Sequence, residues 1–316
     1  MSRDGMKRLG MGIATVAIAL SLALPAEAAT KLNFMYTAVA QFVGLYVAKD
    51  QGILEKHGLD IDMTLTTNGS LISAALVADT AQLGGPTPTI LLQANEQGLD
   101  LVVVAGTNVY PLSSPSGVIA AADSNLHDAK DLEGKHVGVP GLGGIIDVLT
   151  RKWVQSNGLD YHKVNWVEIG FPQMADALKS HLVDAVALVD PFYTRIIGDK
   201  TGYDMGSYAA VIPAGTSPVN FVATRAWAEK NVAAIKALQA ALDEAAVYIR
   251  DPANDKAVRA SLATYTKLPP PVAAIIDVPR DFKVHITPDA LSFWVAVSRE
   301  QGLIKGNPDP KSLIYP

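Results

Sequence analysis

The residues best placed for chemistry in this chain are hydrogen-bonding groups, not nucleophiles. Gly141-Leu142-Gly143-Gly144 follows a short apolar run and Pro140, and leads into a helical pattern. Glycines let the backbone turn tightly and bring N–H groups to a ligand, while a helix start adds partial positive charge. Gly141, Leu142 and Gly143 are therefore candidates to hold an anion or a carbonyl oxygen, against the plain alternative of a βα turn. The spacing is not that of a dinucleotide fingerprint. Asn68-Gly69-Ser70 opens another helical pattern, with donors that serve a ligand or an ordinary N-cap. Thr87, after Pro86, either faces a ligand or caps the helix that begins at Pro88. Asp190 can accept a hydrogen bond from a ligand N–H, or cap a helix whose first position suits Pro191; capping is the simpler assignment. Phe192 and Tyr193 follow as candidate stacking residues.

Other chemistry is excluded by composition. The 316 residues include no cysteine, so disulfides, thiolate metal sites and cysteine nucleophiles are ruled out. The six histidines, 57, 127, 136, 162, 181 and 285, are scattered, without HExxH or helical metal spacing. No Ser/His/Asp arrangement stands out. Neither a metal nor a cofactor is expected, and no enzymatic activity.

The first residues set the compartment. Lys7 and Arg8 precede an uncharged apolar stretch, Leu9 to Leu24, then Pro25 and the small-x-small motif Ala26-Glu27-Ala28. This is the form of a signal peptide over residues 1–28, cleaved after Ala28. The run is shorter than the ~20 residues that span a bilayer. Its loss moves the formal net charge from −5 to about −6, which argues against nucleic acid as a partner. About 290 residues remain, enough for two lobes of ordinary size.

Strand and helix patterns alternate along the chain. Lys31–Tyr36 reads as a strand and Gln41–Gln51 as a helix ending at Gly52. Asp60–Leu65 is a strand of alternating pattern, preceded by Gly58, where positive φ is easily accommodated. A helix through Ala78, a short strand at Ala81–Gly85 and a helix from Pro88 follow. Leu101–Thr107 reads as a strand apolar on both faces. Repeated βα units imply a mostly parallel sheet covered by helices. The prolines and serines of Tyr110–Ser116 suggest a crossover to a second α/β set, with strands at 117–122, 135–139, 164–169 and 185–189. Ile212–Asn220 suggests the return. From Ala226 the pattern is helical, expected to pack on the first lobe. The layout is α/β, a two-lobe fold with a ligand cleft at the carboxyl ends of the strands, with limits of 29–112 plus 218–316 for lobe 1 and 113–217 for lobe 2.

Three segments carry a family resemblance: YVAKDQGILEKHGLDIDM from Tyr46 to Met63, Gly69 to Thr107, and DLEGKHVGVP from Asp131 continuing to VDAVALVDPF at Phe192. In this order and spacing they resemble periplasmic ABC-transporter solute-binding proteins of the nitrate, sulfonate and taurine type, whose superfamily includes the pyrimidine-precursor proteins of thiamine metabolism. The resemblance implies a monomeric periplasmic receptor that hands a small organic solute, a sulfonate, taurine-like compound or aromatic acid, to the permease of an ABC importer. It also implies a cleft wall after the first strand, at Tyr36, Thr37, Gln41 and Phe42, and wall or hinge roles for Asn108 and Tyr110. Two departures stand out. Many relatives have G-D-x-D-x-G where this chain has Asp79-Thr80-Ala81-Gln82-Leu83-Gly84. Sulfonate binders often carry hydroxyl residues in the loop that here is Gly141–Gly144 and has none. Alternative readings are an enzyme on the same fold, of pyrimidine-precursor or desulfinase type, and a ligand-sensing domain.

Overall fold

The computed structural model describes residues 29–66, 68–111 and 115–316; the expected signal peptide lies outside them. The chain runs β1 (Thr30–Tyr36), α1 (Val43–Asp50), α2 (Ile53–Lys56), β2 (Leu59–Leu65), α3 (Ser70–Val77), β3 (Leu83–Gly84), α4 (Pro88–Glu96) and β4 (Leu101–Gly106). A second set follows: β5 (Ser116–Ala121), β6 (His136–Val139), α5 (Ile145–Ser156), β7 (Asn165–Glu168), α6 (Phe171–Lys179), β8 (Ala185–Val189), α7 (Phe192–Gly198) and β9 (Gly202–Gly206). The chain then returns through β10 (Asn220–Thr224), α8 (Arg225–Lys230), α9 (Val232–Arg250), α10 (Asp255–Thr266), α11 (Pro270–Ala273) and α12 (Asp289–Glu300).

These strands form two five-stranded sheets, ordered β2-β1-β3-β10-β4 and β7-β6-β8-β5-β9. Each sheet holds one strand against the common direction. β10 lies antiparallel between β3 and β4, and β5 antiparallel between β8 and β9. The expectation of mostly parallel sheets is met, but β9 and β10 had no sequence signal. β10 reads NFVAT and is buried on both faces, so it shows no alternation, and it follows a Pro/Gly-rich loop. β9 has glycine at both ends and an exposed Asp204 within.

The local reading of the first lobe holds in detail. Gly52 adopts φ +68° just past α1, and Gly58 φ +74° just before β2, conformations that cost a residue with a Cβ. Along β2, Leu59 and Ile61 are buried, while Asp62 faces outward. Every residue from Val43 to Ala48 is buried, because α1 is packed against both α9 and α10. The core has three parts. One lies on the α1/α9/α10 face of the first sheet and one on the α6/α7 face of the second. The third runs through both sheet systems, joining Leu91 of α4, Leu149 and Trp153 of α5, and Trp294 of α12. The expectation that all the late helices pack on the first lobe is therefore corrected: α12 packs on α4 and also on α5.

The two connecting segments lie side by side. Tyr110 N donates to Thr216 O at 2.9 Å and Gly215 N to Tyr110 O at 2.8 Å. Thr107 Oγ1 donates to Val219 O at 2.7 Å. The amino end of α12 is tied to the return segment, since Ser217 N donates to Ala290 O and Trp294 Nε1 to Ser217 O.

Candidate functional site

The loops that follow β1, β2 and β3 leave the carboxyl edge of the first sheet, and those that follow β6, β7 and β8 leave the carboxyl edge of the second. One contact joins α4, which follows the β3 loop, to the loop after β6. Gln93 Nε2 of α4 donates to the Gly143 carbonyl at 3.1 Å and also to Thr89 O. Gly143 has φ +72°, a left-handed conformation that favours glycine, while a Cβ there would meet its neighbours only at ordinary contact distance.

The first-sheet candidates divide into exposed and buried groups. Asn68 and Ser70 are exposed and Gly69 partly so. Asn68 Oδ1 accepts from Ser70 N at 2.9 Å, which is the capping role. Thr87 makes no side-chain cap; its hydroxyl pairs with that of Thr89 at 3.1 Å, and Pro86 beside it is buried. Thr37 and Gln41 are half-buried. The expected aromatic wall at Tyr36 and Phe42 is corrected: both are buried in the first core. Tyr36 donates its hydroxyl to Tyr265 O, and its ring lies 5.7 Å from Phe34. Phe42 packs edge-on to Phe34 and Phe221. A Cβ on Gly85 would collide with the Phe42 ring, so this aromatic seats the loop after β3 from beneath. Leu65, at the carboxyl end of β2, and Leu71, in the first turn of α3, are exposed instead.

At the crossover, Tyr110 is buried in the shared core, and burial holds its hydroxyl well above the ordinary phenol range. Of its two expected roles, burial rules out an open wall. Asn108 is 4% exposed, and its Oδ1 has no hydrogen-bond partner among the described residues.

The loop after β6 departs from the expected anion cradle. Leu142 N donates to Glu168 Oε2 at 3.2 Å, and Gly143 N to Asp147 Oδ2 at 2.7 Å. Both N–H groups are thus held by the chain's own carboxylates, and Gly141 is a plain part of the turn. Asp147 is 1% exposed; burial pushes its carboxyl up, against the pull of Arg151, whose Nε is 2.6 Å away. Leu142 itself is 53% exposed. After β8, Asp190 Oδ1 accepts from Thr194 N and Oγ1, the helix-start role. Phe192 stacks on Phe171 with centroids 5.1 Å apart. Tyr193 is half-buried, and burial followed by the carboxylates of Asp204 and Asp190 pushes its hydroxyl up to about 12.

Glu168, Asp147 and Gln93 were not among the sequence candidates. A carboxylate ending the strand NWVE, and an Asp four residues before Arg151 on α5, were the signals available. Two concavities lie away from these loops. One, of about 350 Å³, is bounded by Val295, Arg299, Asn307 and Pro308. The other, of about 460 Å³, is at the opposite end of the second sheet, by Asp123, Asp131, Lys135, His181 and Asp184. Among the described residues no group of His, Asp and Glu is placed to hold a metal ion.

Two lobes built on mostly parallel sheets, joined by paired crossovers and meeting at their carboxyl-edge loops, define the periplasmic-binding-protein fold. The NMT1/THI5-like family model matches residues 39–254, and the chain belongs to that family. A protein of Brucella abortus (strain 2308), provisionally named a binding protein, is 27% identical over 63% of this chain and 60% of its own length. The nitrate/nitrite binding protein NrtA of Synechococcus elongatus is 26% identical over 69% of this chain and 55% of its own. The chain thus spans little more than half the length of these curated relatives. In three dimensions, the periplasmic aliphatic sulphonate binding protein SsuA of Escherichia coli superposes with a TM-score of 0.75 at 21% identity, over 90% of this chain and 97% of that one.

Proposed function

We propose that this chain is a periplasmic solute receptor that captures a small organic solute, a sulfonate, taurine-like compound or aromatic acid, and delivers it to an ABC importer. It acts by selective closure and not by catalysis. Residues 29–112 with 218–316 form one lobe and 113–217 the other, and the solute lies between the loops carrying Thr37, Gln41, Asn68, Ser70 and Thr87 and those carrying Leu142, Phe192 and Tyr193. The observation that carries this reading is the bond from Gln93 of α4 to Gly143 in the loop after β6, together with the paired connecting segments. Such paired segments suit a hinge, because a few backbone rotations in them reorient whole lobes. The name of one structural neighbour, which describes binding of aliphatic sulphonates, supports the solute class.

Native mass spectrometry of protein purified without refolding tests it. A co-purified small molecule is expected, released on denaturation. A solute from the proposed class at about 100 times its Kd should add about 2.7 kcal/mol of stability and raise the melting temperature. Absence of any adduct, with no stabilisation across sulfonates, taurine and aromatic acids, would count against the reading. N-terminal sequencing of exported protein should begin at Ala29.

A further inference from the structure

We propose that the lobes part on one face only. The face built from α4, α12 and α5 stays closed throughout, and solute enters and leaves on the opposite face, between α1 of the first lobe and α6 and α7 of the second. This rests on the solute-receptor reading and adds a route to it.

The strands on either side of the first crossover show the asymmetry residue by residue. Side chains alternate between the two faces of a strand. On β4, Leu101 and Val103 enter the core shared by both sheets, while Val102 and Val104 enter the core of the first lobe alone. On β5, Val118 and Ala120 enter the shared core, while Ile119 and Ala121 enter that of the second lobe alone. One face of the molecule is thus lined by a single contiguous apolar cluster, and the other by two separate ones. Parting the lobes through the single cluster would bring its side chains into water, at a cost proportional to the apolar area exposed. Parting them between the separate clusters leaves both intact.

The polar ties divide in the same way. Outside the connecting segments, the hydrogen bonds and ion pairs that join the lobes among the described residues are Gln93 to the Gly143 carbonyl, Gln301 to the Val148 carbonyl, and Lys152 to Glu300. All three lie along α4, α12 and α5. Among the described residues no hydrogen bond or ion pair joins α1, α9 or α10 to α6 or α7.

The segment carrying α12 is also fixed at both ends. Its amino end is held by the return segment, where Ser217 N donates to Ala290 O and Trp294 Nε1 to Ser217 O. Past its carboxyl end, Lys305 N and Gly306 N donate to Glu96 of α4 at 2.9 and 3.2 Å, and Tyr315 N donates to Val103 O of β4 at 2.8 Å. A helix anchored to the first lobe and to the return segment, with side chains reaching α5, lets the second lobe swing about it without leaving it.

The chain contains no cysteine, so introduced pairs carry spin labels without competition. Ala38→Cys with Gln173→Cys spans the proposed mouth, from the loop before α1 to the first turn of α6. Gln155→Cys with Ala296→Cys spans the closed face, from α5 to α12. All four positions are exposed. Each pair is measured by pulsed electron resonance in the full exported chain as purified, after stripping of co-purified solute, and after adding millimolar taurine, ethanesulfonate or benzoate. Calorimetry records which of the three bind. Between stripped and loaded protein the 38–173 distance should shorten by more than about 2 Å, while the 155–296 distance stays fixed. A 155–296 distance that changes as much as the other, or two fixed distances in protein that binds solute, would overturn the proposal and leave the receptor reading standing. No binding of any of the three and no co-purified solute would overturn both.

Discussion

Phe42 illustrates how a residue near a candidate site can act by support alone. Its ring contacts Phe34 and Phe221 and fills the space that the missing Cβ of Gly85 leaves open. The loop carrying Thr87 therefore rests on an aromatic floor. Phe42→Ala should cost about 3–5 kcal/mol through lost burial and a residual cavity. Urea denaturation checks this: the midpoint should fall with little change in slope. Sequence placed Phe42 after β1 correctly and assigned it to a wall. An aromatic at such a position has the same letter whether it faces the cleft or the core, and only the packing of α1 beneath the sheet decided between them. Asp190 was legible because its helix-start contact is local, reaching Thr194 four residues on; Asn68, open between ligand and cap in the sequence, accepts from Ser70 N.

At the scale of elements, charge ties the short helix α2 to α9. Glu244 accepts from Lys56 Nζ at 2.8 Å and lies 2.9 Å from His57 Nε2. These contacts hold its carboxyl below the usual value of 4.5, with the Lys56 hydrogen bond the larger cause and that of His57 next. A depressed carboxyl means that the unfolded chain binds the proton more readily. The stabilisation is therefore present above pH 4.5 and is lost as pH falls through the folded value. Glu244→Gln should flatten the acid side of the stability curve between about pH 5 and 3, with a small effect at pH 7 because the pair is solvent-exposed. Melting temperatures across that range, at low salt, measure it. The helical character of the chain after Ala226, which includes α9 at Val232–Arg250, was readable, since a long amphipathic pattern shows its own period. β9 and β10 were not, because a short strand shielded on both faces, or ending in glycine, has no period to detect.

Across the whole molecule, the lobes are braced on the α12 side. Gln93 reaches the Gly143 carbonyl, Gln301 Nε2 donates to Val148 O at 2.8 Å, and Lys152 pairs with Glu300 at 2.7 Å. With Trp294 in the shared core, α12 packs between α4 and α5. Removing both amide contacts in Gln93→Ala/Gln301→Ala should speed hydrogen exchange in residues 141–149 by an order of magnitude or more, while amides of α9 keep their protection. Mass-spectrometric exchange at pH 7 resolves the two regions. The sequence by itself determined the α/β class, the two-lobe layout with its crossover and return, and the absence of cysteine chemistry. Each of these depends on residues close in the chain or on composition. Only the tertiary structure decided that Tyr36, Phe42 and Tyr110 are packed inward, that α12 bridges the lobes, and that carboxylates already fill the glycine loop. Tyr36 meets Tyr265 and Gln301 meets Val148 across more than 100 positions of chain, and no local pattern encodes that distance.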